Sequence, residues 1–519
     1  MLRGLSVLFP LLLLGAFDQG LRRIFPYQGE MGYLRRAPGE PPLYFLERGK
    51  PRLYGELPLA KATNTLRVFT FGESSTWGLP YGAGGSFSGW MGLILNALDP
   101  TSRVEIVNTG YPSAPLATSR DFAEAAIPFQ PDVFVIYSGN NEFLLENQVL
   151  REAAVDGALV HWLRRKLKYR SFLFFQLDRW YAGRRTKTYY RPENVRFEDY
   201  NVRVDDRFRA ELRGILAVAR RRHVRVVLCT VTCNERDYPP MQSGWQPGLN
   251  PTQVQACEAL LTDMRQGIAT GRYADAEALY AQLCAASPGY AQATYELAQM
   301  YLRTGNALKA QQAFRRAKEE DRTLVRVKAR FDAIIRAEAQ RAVGPDVALV
   351  DIEHILATAA PQGVPGNEFF LDGMHPTLRG HFLIALEVVR AMTDRGWAPT
   401  RKALGPEITF DNLRPMNQRF DDAAILETGG YFVGLGRRAR AKEIFRDFLR
   451  EHEHWQAHYN LAVIALEEGD RATATAETAA AYRLLSRDFR PIAEAVQVSA
   501  PKWASEFERL RTYVATNNI

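Results

Sequence analysis

Leu66-Arg67-Val68-Phe69-Thr70-Phe71-Gly72-Glu73-Ser74-Ser75-Thr76-Trp77-Gly78 decides how the rest of the chain is read. Its first six residues, rich in β-branched and aromatic side chains, predict a short buried strand. Gly72 permits a sharp turn where that strand ends, because it has no Cβ. The serines and threonine that follow suit a helix N-terminus, where backbone N–H groups lack intrahelical partners. A serine at such a corner carries its hydroxyl to the rim of a sheet, close to unpaired donors. Nucleophilic catalysis needs that placement. Taken alone, the stretch reads more readily as an ordinary helix cap than as a nucleophile turn.

Outward from it, strand-like runs recur at 104–107, 132–138, 224–229 and 347–351, separated by helical patterns such as 116–127 and 206–222. Strand and helix in alternation predict a parallel sheet covered on both faces, with binding groups at the carboxyl ends of the strands. Three further stretches fall at those ends or in loops leading into helices. They are Asn108-Thr109-Gly110-Tyr111-Pro112-Ser113, Gly139-Asn140-Asn141-Glu142 and Leu371-Asp372-Gly373-Met374-His375-Pro376-Thr377. Together they hold what acyl transfer requires. The Asn141 amide, with backbone N–H groups at Ser113 and Ser74, can donate to an oxyanion. His375 can take the serine proton, and Asp372 can hold its other ring nitrogen. Gly373 permits the tight loop this spacing needs, and Pro376 suits the first position of the following helix.

These blocks resemble the SGNH hydrolases, also called the GDSL esterase and lipase family. Gly72-Glu73-Ser74-Ser75-Thr76 is similar to the nucleophile block, Gly139-Asn140-Asn141-Glu142 to the Gly-x-Asn-Asp block, and Asp372-Gly373-Met374-His375 to the Asp-x-x-His block. The resemblance implies Ser74 as nucleophile, His375 as base, Asp372 as its support, and Ser74, Ser113 and Asn141 as the oxyanion hole. It covers roughly 62–240 and 330–398. Glu73 and Glu142 stand where the family has Asp, and Ser113 stands where it has an oxyanion-hole glycine. The fold implied is a flavodoxin-like α/β/α sandwich with inserted and C-terminal helical repeats.

The repeats show in spacing. Gly271, Ala276 and Tyr280 recur as Gly305, Ala310 and Phe314, 34 residues on. Gly436, Ala441 and Phe445 are followed by Gly469 and Ala474. Period and small-residue positions resemble the tetratricopeptide repeat. Stacked helical pairs leave a concave face that binds protein segments.

At 519 residues the chain is long enough for several domains, and 46% apolar with 24% charged residues is an ordinary globular balance. The formal charge of +8 is modest, and no nucleic-acid module is present, so nucleic acid is not an expected partner. Leu5 to Phe17 is an apolar run after Arg3, the length of a signal-peptide core. It predicts an extracytoplasmic protein, periplasmic or secreted, with the N-terminus either cleaved or kept as a membrane anchor. Between His161 and Arg191 stand ten Lys or Arg and one acidic residue, among aromatics, a pattern for a membrane-surface segment, a cap or a solvated basic face. Cys229, Cys233, Cys257 and Cys284 have neither Cys-x-x-Cys spacing nor paired histidines, so no zinc site or other metal or cofactor is expected.

The expected order is therefore a signal or anchor (1–24), an extended lead-in (25–61), the first hydrolase segment (62–250, with the basic aromatic insertion at 145–200), a repeat insertion (255–322), the second hydrolase segment (330–398) and C-terminal repeats (405–519). The expected reaction is hydrolysis of an acyl or acetyl ester, on a glycan or a lipid, through an acyl-serine, with a protein partner on the repeats. The same triad would serve an O-acyltransferase. A binding scaffold with a vestigial hydrolase fold is the alternative from another class.

Overall fold

The structure is a computed structural model describing residues 42–47, 50–57, 60–142, 197–323, 326–342, 344–399, 402–416, 421–434 and 436–495, with Thr512 and Thr516. The N-terminal apolar run and nearly all of the basic aromatic stretch lie outside the described residues. No described helix is long and apolar enough to cross a membrane.

Within the lead-in stands an antiparallel hairpin, β1 (Pro42–Glu47) and β2 (Lys50–Glu56), which the scattered Pro and Gly of that segment did not announce. The main sheet follows. Its strands are β3 (Thr65–Gly72), β4 (Arg103–Asn108), β5 (Val133–Tyr137), β6 (Arg225–Cys229) and β7 (Val347–Val350). All pair in parallel, in the order β4-β3-β5-β6-β7. This is the flavodoxin-like 2-1-3-4-5 order, whose binding crevice opens where the winding reverses, beside the first strand.

The single turn α1 (Ser74–Trp77) leads to α2 (Phe87–Leu98), α3 (Leu116–Ala126) and α4 (Phe197–Arg221). The repeat insertion supplies α5 (Pro251–Ala269), α6 (Tyr273–Ala286), α7 (Ala291–Arg303) and α8 (Ala307–Glu320). Then come α9 (Ala329–Arg341), α10 (Ile352–Ala359) and α11 (Leu378–Asp394). Helices α2 and α11 pack together on one face of the sheet, and α3, α4 and α9 on the other. Every residue of β3 is buried, as a strand covered on both faces requires. That includes Arg67, whose Nε donates to Glu105 Oε2 at 2.7 Å and whose backbone N–H donates to Asp132 at 2.7 Å. A buried cation is tolerable only with such partners.

The chain separates into two compact units. One comprises residues 1–77 and 87–406, the other 78–86 and 407–519. In the first, α5–α8 form two stacked helical hairpins. In the second, α12 (Asp421–Gly434), α13 (Arg438–Leu449), α14 (Trp455–Glu467) and α15 (Arg471–Ala495) form two more. The repeat glycines all do one job. Gly271, Gly305, Gly436 and Gly469 stand between the helices of the hairpins with φ of 70° to 81°, the left-handed stop a glycine adopts without strain. The alanines five positions after them, Ala276, Ala310, Ala441 and Ala474, are fully buried, where small side chains let paired helices approach.

Candidate active site

Sterics fix the turn that presents Ser74. A Cβ on Gly72 would lie 2.0 Å from the Tyr137 carbonyl oxygen and 2.1 Å from Thr76 Oγ1, and one on Gly110 would lie 2.3 Å from the Trp77 nitrogen. Thr76 Oγ1 donates to the Tyr137 carbonyl at 2.8 Å, and Asn108 Nδ2 donates to the Thr76 carbonyl at 2.7 Å. The ends of β3, β4 and β5 are thus tied round α1. Gly72→Ala is expected to cost about 3 kcal/mol or more, because it overpacks against backbone that cannot yield. A fall in the apparent melting temperature checks this, and a melting curve like the wild type's would mean that the turn relaxes freely.

The structure brings Ser74, His375 and Asp372 together. His375 Nε2 lies 2.8 Å from Ser74 Oγ, and His375 Nδ1 lies 2.7 Å from Asp372 Oδ2. Asp372 Oδ1 accepts from the backbone N–H groups of Met374 and His375, both at 2.8 Å. A carboxylate only accepts, so the proton sits on Nδ1 and the Nε2 lone pair faces the serine hydroxyl. Burial pushes the Asp372 carboxyl up, but the neighbouring imidazole and the hydrogen bonds outweigh it and hold the group below its ordinary range. Burial pulls His375 down, and the Asp372 carboxylate, with Glu73 behind it, more than reverses this, so the ring titrates above 6.5.

One detail of this loop differs from expectation. Pro376 is not the first helical residue. It bridges to Phe370, and Thr377 is the N-cap of α11, its side chain accepting from the Gly380 N–H. The loop holding Gly373 is tight as expected, closed by the Leu371 N–H donating to the His375 carbonyl at 2.8 Å, and a Cβ at 373 would also lie 2.9 Å from Tyr238 Cε1. Ser75, the neighbouring hydroxyl, donates to the Met374 carbonyl at 3.1 Å and so joins the histidine loop to the nucleophile turn.

Glu73 does more than its sequence position indicated. Its carboxylate accepts from Ser138 Oγ at 3.0 Å and from the backbone N–H groups of Gly139, Asn140 and Asn141 at 2.7, 3.1 and 3.2 Å. It clamps the loop after β5 beside the nucleophile. Burial, opposed by these hydrogen bonds, pushes Glu73 up to about 7. Glu142 accepts from the Leu116 N–H at 2.7 Å, at the start of α3. The one hint of either role was an acidic residue beside each motif asparagine or serine.

The clamp holds Asn141 with its Nδ2 buried and without a partner among the described residues, so the amide is available to a developing negative charge. The Asn140 Nδ2 is likewise buried without a partner among the described residues, but its Oδ1 accepts from the Val327 N–H at 3.0 Å, which ties that side chain into the fold. Ser113 adopts φ of 62°, the left-handed conformation suited to the glycine that the resemblance led one to expect there. Asn141→Ala is expected to lower kcat by about 10²–10³-fold with a small change in KM, as for loss of one oxyanion donor. Steady-state kinetics on p-nitrophenyl acetate checks this, and a kcat within threefold of wild type would remove Asn141 from the role.

All four cysteines are free thiols. Burial pushes Cys233 up to about 11 and Cys229 higher still, so neither is a competing nucleophile. No described group of three or more His, Cys, Asp or Glu converges as a metal-ligand set.

Tetratricopeptide repeat profiles match residues 268–330 and 426–488, the two sets of hairpins. No curated protein is significantly similar to the chain. Among solved structures, it is similar to a G-D-S-L family protein from Desulfitobacterium hafniense (11% identity, 63% of this chain, 98% of that one, TM-score 0.29). It is also similar to a GDSL-like lipase from Bacteroides thetaiotaomicron (12%, 63%, 88%, 0.28) and an acetylxylan esterase from Geobacillus stearothermophilus (12%, 63%, 94%, 0.29). With superpositions this loose, what the site can do follows from its own atoms. Those atoms are a serine hydroxyl hydrogen-bonded to an imidazole, a carboxylate on the far side of that ring and a buried amide nitrogen nearby.

Proposed function

We propose that the protein is a serine esterase acting through an acyl-serine. One observation carries this reading, the unbroken chain from Ser74 Oγ through His375 to Asp372 at 2.8 and 2.7 Å. Ser74 Oγ attacks the ester carbonyl as His375 Nε2 takes its proton, and Asp372 holds the imidazolium that results. The Asn141 amide and the N–H groups of Ser74 and Ser113 receive the oxyanion. Collapse of the tetrahedral intermediate expels the alcohol, which takes the proton from His375. Water then attacks the acyl-serine with His375 again as base, releasing the acid and restoring Ser74. Labelling with a fluorophosphonate tests the reading. The adduct mass is expected on the peptide carrying Ser74, and an adduct that persists unchanged in Ser74→Ala would move the nucleophile elsewhere.

The substrate class we propose is an acyl or acetyl ester on an extracytoplasmic glycan or lipid, and its support is the apolar Leu5–Phe17 run. A screen over acyl chain lengths addresses it directly. For the repeats we propose a protein partner. Its support is an open groove of about 590 Å³ in the insertion, lined by Arg265, Tyr273, Tyr295, Glu296, Gln299 and Arg303 among others.

A further inference from the structure

The segment 234–238, just past β6, lies between the repeat insertion and the histidine loop. On one side it meets α7. The Arg236 carbonyl oxygen accepts from Tyr295 Oη and from Gln299 Nε2, both at 2.7 Å, and Gln299 Nε2 also reaches Tyr295 Oη at 3.0 Å. Tyr295 and Gln299 stand four residues apart on one helix face, so both side chains reach the same carbonyl. On the other side the segment meets the catalytic loop. The Asn234 N–H donates to the Gly373 carbonyl at 3.1 Å, and the Tyr238 ring lies where only a glycine at 373 leaves room. The N–H groups of Glu235 and Arg236 donate to the Pro365 carbonyl at 3.0 and 3.1 Å, and Asp237 accepts from the Asn367 N–H at 2.8 Å. Arg326 closes the segment by donating to the carbonyls of Asn234 and Tyr238 at 3.1 and 2.9 Å.

We infer that Tyr295 and Gln299, on the repeat insertion, are positioning residues for His375, acting through the Arg236 carbonyl and the 234–238 segment. This rests on the esterase reading above. Neither residue touches Ser74, His375 or Asp372. Their two donors fix one carbonyl, that carbonyl fixes the segment, and the segment bears on Gly373 between Asp372 and His375. Proton transfer from Ser74 depends on an imidazole held to a few tenths of an ångström, and a 1 Å displacement costs about 10²-fold. The insertion is thereby part of the catalytic scaffold as well as a surface for partners. Because Tyr295 and Gln299 also line the groove, whatever occupies that groove bears on the residues that hold the histidine loop.

The two donors are redundant, and the redundancy makes the test. With p-nitrophenyl acetate, Tyr295→Phe and Gln299→Leu singly are expected to change kcat less than threefold, since either donor satisfies the carbonyl. The double variant, which leaves it with none, is expected to lose about tenfold in kcat at unchanged KM. Its acid limb should shift, and the far-downfield proton resonance of the His375–Asp372 hydrogen bond should move or broaden. Restoring either side chain should recover the rate. Lys309→Ala removes the ion pair of Lys309 with Glu277 at 3.0 Å elsewhere on the insertion without touching Arg236, and should leave kcat as it was. A folded double variant with wild-type kcat, acid limb and resonance overturns the inference. If the double variant does not fold, the near-isosteric pair Tyr295→Phe with Gln299→Met takes its place, and wild-type kcat, acid limb and resonance there overturn the inference equally. Ser74→Ala separates this from the parent reading. Should Ser74→Ala turn over substrate like the wild type, the esterase assignment falls, whatever the α7 variants do.

Discussion

Ser74→Ala is expected to lower kcat for p-nitrophenyl acetate by about 10⁴-fold or more, with little change in KM. The side chain is almost fully buried and its hydroxyl lies 2.8 Å from His375 Nε2, so alanine removes the attacking oxygen and leaves a space hardly larger than one atom. The fold should be unaffected, and the melting temperature should match the wild type within a degree or two. The residual rate would come from the oxyanion donors and binding alone, as in other serine hydrolases stripped of their nucleophile. Ser75 cannot take over without breaking its hydrogen bond to the Met374 carbonyl. Equal turnover by wild type and Ser74→Ala would dispose of the enzyme reading and leave the helical hairpins as the guide to function.

Asp372→Asn should be nearly as damaging, about 10⁴-fold in kcat, through the tautomer of the imidazole. An amide nitrogen facing His375 Nδ1 would take that nitrogen's lone pair and drive the ring proton to Nε2, leaving no base for Ser74. The pH profile carries the same argument with a sign that can be worked out. Catalysis needs neutral His375, so kcat/KM should rise with pH through the histidine's titration. In the wild type the Asp372 carboxylate favours the imidazolium and raises that titration above 6.5, so the acid limb should lie above 6.5. Without the carboxylate's charge, burial dominates and the limb of the residual activity should move to lower pH. A limb that stays in place in Asp372→Asn would mean that another group sets it, with Glu73, which titrates near 7, the first to test by Glu73→Gln.

The parts of the molecule legible in the sequence were those whose cause is local. β5, β6 and β7 are mainly runs of apolar residues, as strands of a covered parallel sheet tend to be, and β4 at the sheet edge alternates polar with β-branched residues. The repeat hairpins were legible because a left-handed glycine and a buried alanine recur at a fixed period. Ser74, Asn141, Asp372 and His375 stood out because their flanking residues form compact motifs. The parts that stayed hidden depend on partners far along the chain. Glu73 looks like a neutral neighbour of the serine until the turn after β5 brings four donors to it from 65 to 68 positions away. Arg67 breaks an otherwise apolar strand, and its acceptor on Glu105 becomes visible only once β4 lies beside β3. Residues 234–238 carry no periodicity and no motif, and their importance lies in contacts about 60 positions ahead on α7 and about 140 ahead on the histidine loop.

The insertion between β6 and β7 also has a consequence for how the chain is made. At a synthesis rate of roughly 5–20 residues per second, the ribosome takes on the order of ten seconds to deliver β7 after β6. Through that interval β6 has an open hydrogen-bonding edge, the kind of surface on which nascent chains stick to one another. The intervening helices pair with near neighbours in sequence, so they collapse in microseconds. By drawing the two ends of the excursion together, they reduce the loop that β7 must close. A chain terminated ahead of Val347 would keep its paired helices and still expose that strand, and aggregation rather than unfolding is its expected fate.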